Sequence, residues 1–330
     1  MQKVINPNTK IDELSNAVFL AGPCPREDYE DDWRNEAIKL FEEFGFTGDI
    51  INPTNPNYDG NLKKQTEWEH KMLSLASCIL FWIPRSEKHP AFTTNIEFGE
   101  WMNCESIVVG FPDESIKNEY IDLRLESLGL PRYKTLKEAV KAVVDKFSRG
   151  KKIFFTSDTH FSAQRTLELS YRPFKSVQDM DEHLVSNWNK RVTMNDIVIH
   201  LGDFGNPTAF KYLNCNQMYF LPGNYERKIE GFSTETYFKD KRVVQIEEKM
   251  IKVNGSTYYI CHEPINNKFN PENKFYLYGH IHRLQMVKRN GVNVGTDANR
   301  YTPMSVKELE FLRGGIEKHF DENVFTDKCK

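Results

Sequence analysis

Ile153-Phe154-Phe155-Thr156-Ser157-Asp158-Thr159-His160 is the stretch whose reading decides the fold of the C-terminal half. Its β-branched and aromatic residues predict a buried strand, and a carboxylate and an imidazole follow where that strand ends. Alternate residues of an extended chain share a face, so Asp158 and His160 would point the same way. Four further signals come in order behind other apolar or β-branched runs: Gly202-Asp203, Gly223-Asn224, Cys261-His262 and Gly279-His280-Ile281-His282. A lone Asp-x-His is ordinarily a satisfied strand-end pair, and a lone Gly-Asp or Gly-Asn is ordinarily a turn. Five such signals in sequence would instead deliver oxygen and nitrogen donors to one rim of a sheet, which is what a pair of metal ions requires.

Working outward, strands are predicted at Ile197 to His200, Met218 to Leu221, Met250 to Val253, Thr257 to Cys261, Phe275 to Tyr278 and Val292 to Val294. Asn254-Gly255 and Asn290-Gly291 are hairpin signals among them. Helices near Val177 to Lys190 and Val306 to Leu312 would cover the sheet faces, giving a layered α/β sandwich. Upstream, Ser148 to Lys152 is a short polar linker, which divides the chain into domains at 1–149 and 150–330. The N-terminal domain alternates strand-like and helix-like runs, the pattern of a parallel sheet covered by helices. Its strands are Ala17 to Ala21, Ile50-Ile51, Cys78 to Ile83 and Ile107 to Val109. Its helices are Asp32 to Phe44, Lys64 to Ala76, one from Asn95, Glu114 to Leu128 and Thr135 to Phe147.

A length of 330 residues accommodates two cores. The formal net charge of −3 and the lack of a dense Lys/Arg block argue against a sequence-independent grip on nucleic acid, and leave a small anionic substrate. Without an apolar signal core or a membrane-length apolar run, the expected location is the cytoplasm. The scattered Cys24, Cys78, Cys104, Cys215, Cys261 and Cys329 form no C-x-x-C pair and are expected to be reduced.

From about Lys152 to Leu312 the chain resembles the calcineurin-like metallophosphoesterases, in particular the small bacterial and phage type that opens Ser-Asp-Thr-His-Phe. Further matching pieces are Arg172-Pro173-Phe174, Asn187-Trp188-Asn189, His200 to Phe204 and Asn293-Val294-Gly295. The resemblance implies a four-layer α/β/β/α sandwich. It implies one metal held by Asp158, His160, Asp203 and His282 and another by Asp203, Asn224, His262 and His280, with Asp203 shared. Two divalent cations would clamp phosphoryl oxygens and lower the pKa of a water for in-line attack. A donor set of imidazole, carboxylate and amide without thiolate favours manganese, with iron, nickel or zinc as alternatives. Two departures stand out. The family reads Gly-Asn-His-Asp or Gly-Asn-His-Glu where this chain has Gly223-Asn224-Tyr225-Glu226, and Phe-Gly-His where it has Phe161-Ser162-Ala163. A phenol donates a hydrogen bond but carries no charge at neutral pH, so Tyr225 implies a leaving group that needs little protonation. Arg172 is either a phosphate clamp or a partner of an acidic residue. His200 is expected in a hydrogen-bonded supporting role, and His70, His89, His183 and His319 in solvent.

In the N-terminal domain, Glu97 of Thr93-Thr94-Asn95-Ile96-Glu97-Phe98-Gly99 would lie in the first turn of the helix after a strand, where parallel sheets bind ligands. The helix N-terminus would favour its ionised form. Thr94 to Glu97 also fits a capping box. From about Ala17 to Phe147 the domain resembles the nucleoside 2-deoxyribosyltransferase-like family, on Phe19 to Pro23, Trp33-Arg34, Ile51 to Thr54, Phe81 to Pro84 and Thr94 to Gly99. That resemblance implies a flavodoxin-like open sheet, Glu97 as the nucleophile at an anomeric carbon, and a pocket that a neighbouring subunit of a homo-oligomer completes. The family's two acidic partners are Ala91 and Cys78 here, so base activation would come from Asp59, Glu67 or Glu69, or from a leaving base that is already cationic. Trp82 could stack on a base or fill the core.

The expected function is bifunctional processing of a nucleotide: phosphoester hydrolysis in one half, and N-glycosidic cleavage or deoxyribosyl transfer in the other. The alternative is a single phosphoesterase whose N-terminal domain only binds a nucleotide ligand. A nuclease using the same metals would need the basic stripe that the sequence lacks.

Overall fold

The computed structural model describes residues 3–10, 14–24, 32–55, 57–104, 106–264 and 274–319. Cys329 lies outside them, and Cys24, Cys78, Cys104, Cys215 and Cys261 are free thiols. The chain forms two compact units, Met1–Gly150 with Asn189–Met194, and Lys151–Trp188 with Asn195–Lys330. Among the described residues no helix is long and apolar enough to cross a membrane.

The first unit is built on β1 (Val4–Ile5), β2 (Val18–Ala21), β3 (Ile50–Ile51), β4 (Cys78–Trp82), β5 (Ile107–Gly110) and β6 (Arg132–Tyr133). All pair in parallel in the order β1-β3-β2-β4-β5-β6, the flavodoxin-like order with one strand added at an edge. Both faces are buried, as uninterrupted apolar strands require. Phe19, Ile79, Phe81 and Val109 pack against Met72 and Leu73 of α2 (Leu62–Leu75) and Phe98 of α3 (Phe92–Trp101). Val18, Leu80, Trp82 and Val108 point the other way, onto α1 (Trp33–Glu43) and α5 (Leu136–Ser148). Trp82 is therefore packed into the core, 6% exposed.

Local signals set the boundaries. Asp32 caps α1 by accepting from the Arg34 N–H, and Gly45 ends it in the left-handed conformation at φ 69°. Two helices depart from expectation. α3 begins at Phe92 rather than Asn95, behind a left-handed Ala91, so Glu97 falls in the second turn and no capping box forms. α4 (Glu119–Leu128) begins five residues after Glu114, because Ser115 Oγ and Asn118 Nδ2 both donate to the Ile83 carbonyl beyond β4 and pin that segment as a turn.

The second unit carries two five-stranded sheets. The first joins β7 (Ile153–Thr156), β8 (Ile197–His200), β9 (Gln217–Phe220) and β10 (Val243–Gln245) in parallel, with β16 (Met304–Ser305) antiparallel to β7. The other is ordered β11 (Lys249–Val253), β12 (Ser256–Ile260), β13 (Tyr276–Tyr278), β15 (Gly291–Asn293), β14 (Val287–Lys288), with β12, β13 and β15 parallel. Asn254-Gly255 forms the expected β11–β12 turn. The second hairpin turns one residue earlier than expected, at Arg289-Asn290, because Gly291 already pairs with Lys288. Phe155, Ile199 and Leu221 share a core with Tyr258, Ile260, Leu277 and Val292 of the other sheet and with Leu309 and Ile316 of α9 (Val306–His319). Phe220 faces away, into an aromatic cluster with Phe204 and Phe238. α7 (Val177–Asn189) buries Met180, Leu184 and Trp188, whose indole donates to the Asn214 carbonyl.

One cap can be tested directly. Thr135 accepts from the Glu138 N–H while Glu138 bonds back to Thr135. Thr135→Ala is expected to cost about 1 kcal/mol, read as a lower urea midpoint by circular dichroism; an unchanged midpoint would contradict the cap.

Candidate metal centre and N-terminal cleft

Parallel pairing brings five strand ends together in the second unit: β7, β8 and β9 from one sheet, β12 and β13 from the other. The chain leaves them as Ser157-Asp158, Leu201-Gly202-Asp203, Leu221 to Asn224, Cys261-His262 and Gly279-His280. Backbone bonds lock these turns together: Asp158 donates to Gly202, His160 to Asp203 and Gly279 to His262. The backbone is unusual there, since Asp158, His160, Asp203, His280 and His282 all have φ between 48° and 69°, the left-handed region that non-glycine residues adopt uncommonly.

All seven expected ligands converge. Asp158, His160 and His282 form one group and Asp203, His262 and His280 another, each with donor atoms within 4.8 Å of one another. Asn224 Oδ1 joins the second group, 3.0 Å from His262 Nε2 and 3.1 Å from His280 Nδ1. Asp203 Oδ2 lies 3.4 Å from His262 Nε2 and 3.6 Å from His160 Nε2. It thus faces both groups, while its Oδ1 accepts from the Tyr225 N–H. Donors held ~2.1 Å from one ion lie roughly 3 to 3.5 Å apart, so these spacings fit divalent cations. The buried His160 Nε2 has no hydrogen-bond partner among the described residues, and a cation would satisfy it. A Cβ at Gly223 would come 2.2 Å from Asp203 Oδ1, and one at Gly279 2.3 Å from Asp158 Oδ2, so only glycine allows the carboxylates this close.

The electrostatics agree. Burial pushes His160 down to about 4, leaving a neutral imidazole able to ligate. Burial would do the same to His262, but its hydrogen bond to Asp203 and the charges of Asp158 and Asp203 lift it to about 9. The donor set draws positive charge. His200 has the expected supporting role: buried and pushed down to about 3, it accepts from the Gly202 N–H at Nδ1 and meets Thr159 Oγ1 at Nε2.

Three supports were not read from sequence. Asp297 accepts from His282 Nδ1 at 2.8 Å and fixes that ring. Glu226 accepts from the backbone N–H groups of Asp203, Phe204 and Gly223, tying the second and third turns together. Ser157 Oγ donates to Asp158 Oδ2. Ser157 and Glu226 lie inside motifs whose other residues drew the reading, and Asp297 carries no spacing that would single it out. Of the two readings of Arg172, the structure shows the acidic partner: its buried guanidinium is bidentate to Asp297 and donates to the Asp158 and Thr159 carbonyls and toward Met180 Sδ. With no donor free, it positions the turn that carries two ligands.

In the first unit a cleft of about 480 Å³ opens beyond the carboxyl ends of β2, β3 and β4. Its lining includes Pro23, Cys24, Thr54, Gln65, Glu69 and Ala91 to Thr93. This is the switch point of the sheet order, where open parallel sheets bind ligands. Arg34 shapes the wall by donating to the Leu20, Gly22 and Pro23 carbonyls and pairing with Asp32, whose other oxygen accepts from Thr54. Glu97 is half-buried on α3 and makes no hydrogen bond or ion pair among the described residues. Desolvation and the neighbouring Glu69 push it up to about 8, the reverse of the ionised state expected from a helix terminus. Cys78 sits in the core and Ala91 at the cleft wall.

Residues 15–115 match the family model described as nucleoside 2-deoxyribosyltransferase like. Residues 151–300 match the calcineurin-like phosphoesterase superfamily domain. The two halves thus resemble two enzyme families. An uncharacterized protein of Methanocaldococcus jannaschii is 26% identical over 182 residues, 51% of this chain and 93% of that protein. A crystal structure of a protein of unknown function from Aquifex aeolicus aligns at 21% identity over 49% of this chain and 100% of its own, with a TM-score of 0.38. The calcineurin-like half supports a hydrolase with divalent metals. Tyr225 is 42% exposed, with its ring 5.0 Å from that of His160.

Carboxylates behind ligating histidines typically matter about 10- to 100-fold in metal affinity. Asp297→Asn is expected to weaken manganese binding by about that factor in calorimetric titration; wild-type affinity would contradict the role given to Asp297.

Proposed function

We propose that the C-terminal unit hydrolyses a phosphoester of a small nucleotide-like molecule, and that the N-terminal unit cleaves or transfers an N-glycosidic bond in the same class of substrate. The convergence of seven donors around Asp203 Oδ2 carries the first half of this reading. Asp158, His160, Asp203 and His282 would hold one divalent cation and Asp203, Asn224, His262 and His280 the other, with manganese favoured by the donor chemistry. When bound, such a pair neutralises phosphoryl charge and lowers the pKa of water. The chain's own residues do the rest. Asp203 keeps both groups in register, Arg172 and Asp297 hold the first group rigid, and Asn224 can turn its amide N–H toward a phosphoryl oxygen. The Tyr225 hydroxyl donates a hydrogen bond at the rim without adding charge. A neutral donor suits leaving groups that depart without a full proton, such as a pyrophosphate, a cyclic nucleotide or an activated diester. The free thiols suit a reducing compartment, here the cytoplasm.

Glu97 beside the switch-point cleft supports the glycosidic half, as the carboxylate that attacks the anomeric carbon. The ligand-binding alternative for this unit draws on Ala91 and Cys78, which supply no proton to a leaving base.

Chromatography of products from the manganese-loaded protein on deoxynucleotides, NAD, ADP-ribose and cyclic nucleotides separates these readings. Asp203→Ala is expected to abolish phosphoester cleavage and spare base release, and Glu97→Ala to do the converse. Base release unaffected by Glu97→Ala, or none from any substrate, would favour the binding module. Because a carboxyl raised to about 8 is protonated below that pH, release of a base that departs without a proton should climb as pH rises through about 8. A maximum near pH 6 would contradict Glu97 as the nucleophile.

A further inference from the structure

The N-terminal cleft lacks acids at the two positions from which its family likeness expects them, yet a departing base needs a proton. Three nearby acids could replace them, and their surroundings distinguish them. Glu67 is exposed and pairs with Lys63 across one helical turn. Asp59 faces a separate small polar recess, where it accepts from the Asn61 N–H and pairs with Lys64. Glu69 alone of the three lines the cleft. It lies on α2, which approaches α3 closely enough for His70 Nδ1 to stand 3.9 Å from Glu100 Oε1. Glu97 precedes Glu100 by three residues and so lies on the same side of α3, one turn nearer the cleft.

The hydrogen bonds orient the Glu69 carboxyl. Asn55 Nδ2 donates to Gln65 Oε1, which turns the Gln65 amide nitrogen onto the Pro53 carbonyl and onto Glu69 Oε1 at 2.8 Å. Oε1 is thereby held as an acceptor, and a proton on this carboxyl belongs on Oε2.

We propose that Glu69 is the proton donor to the leaving base; this rests on the glycosidic reading of the unit. The Glu97 carboxylate attacks the anomeric carbon and the C–N bond breaks. Its electron pair passes to the base nitrogen, which takes the proton from Glu69 Oε2. A glycosyl ester on Glu97, a neutral base and a Glu69 carboxylate result. Water, or the nitrogen of a second base, then attacks the same carbon, Glu69 recovers the proton, and Glu97 leaves as carboxylate. Burial pushes Glu69 up against the pull of Gln65, Arg34 and His70, and Glu97 is raised by burial, Glu69 and Glu100 against Arg34.

The test compares two leaving bases in the full-length protein: guanine from 2′-deoxyguanosine and its monophosphate, and 7-methylguanine from the 7-methylated counterparts, which departs without protonation. Glu69→Gln keeps the Gln65 contact and is expected to slow guanine release about 100-fold, to leave 7-methylguanine release within a few-fold of wild type, and to lower the pH at which 7-methylguanine release rises, because Glu69 is among the groups that raise Glu97. Glu97→Ala should stop both. Equal slowing of both bases by Glu69→Gln, or no effect on either, overturns the proton donor while leaving the nucleophile in place. Release of neither base by wild type, or of both by Glu97→Ala, overturns the glycosidic reading and the donor with it.

Discussion

The shared carboxylate of Asp203 is the constraint on which the C-terminal unit turns. One oxygen accepts from the Tyr225 backbone, which leaves the other to face His160 on one side and His262 on the other. That oxygen belongs to neither donor group alone. Moving it by an ångström would leave two incomplete sites, so the surrounding structure reads as the means of holding it still. Glu226 binds the backbone N–H groups of Asp203 and Phe204, and Gly223 leaves room for the side chain. Five ligands accept left-handed backbone angles around it. Such strain persists only where neighbours over-determine the conformation, and the locked strand-end turns supply that.

The two units use one architectural principle for different chemistry. Parallel strands carry their carboxyl ends to a common rim, and loops leaving that rim can place polar groups around an open space. In the C-terminal unit two sheets contribute, and the space is narrow and lined with donors. In the N-terminal unit one sheet contributes at its switch point, and the space is a cleft wide enough for a small organic ligand. There the polar groups are few, and burial raises the carboxyl of Glu69 in the lining and of Glu97 beside it above the usual carboxylate range.

Much of this was legible in the amino-acid sequence, and the reason is local. Asp158, His160, Asp203, Asn224, His262, His280 and His282 each follow a strand whose β-branched and aromatic residues announce it, and their order along the chain is enough to collect them. The parallel sheet of the first unit was legible in the alternation of strands and helices, while its flavodoxin-like order came from the family resemblance. What escaped depends on contacts between segments far apart in the chain. Arg172 was read as a phosphate clamp or the partner of an acid, but its partner Asp297 lies 125 residues away with nothing beside it to mark it. The first turn of α3 was misplaced because Ala91 adopts a left-handed angle that no local rule assigns to alanine. The charge state of Glu97 was misjudged with it, since a carboxylate one turn further along trades the helix terminus for burial beside Glu69. Trp82 was ambiguous in sequence because a strand facing helices on both sides has no polar face to break the tie.

The most direct test of the central claim is anomalous diffraction from a manganese-soaked crystal, recorded on both sides of the metal absorption edge. The account predicts two peaks about 3.5 to 4 Å apart, with Asp203 Oδ2 between them, Asp158, His160 and His282 on one and Asn224, His262 and His280 on the other. A single peak, or two peaks that share no Asp203 oxygen, would contradict it.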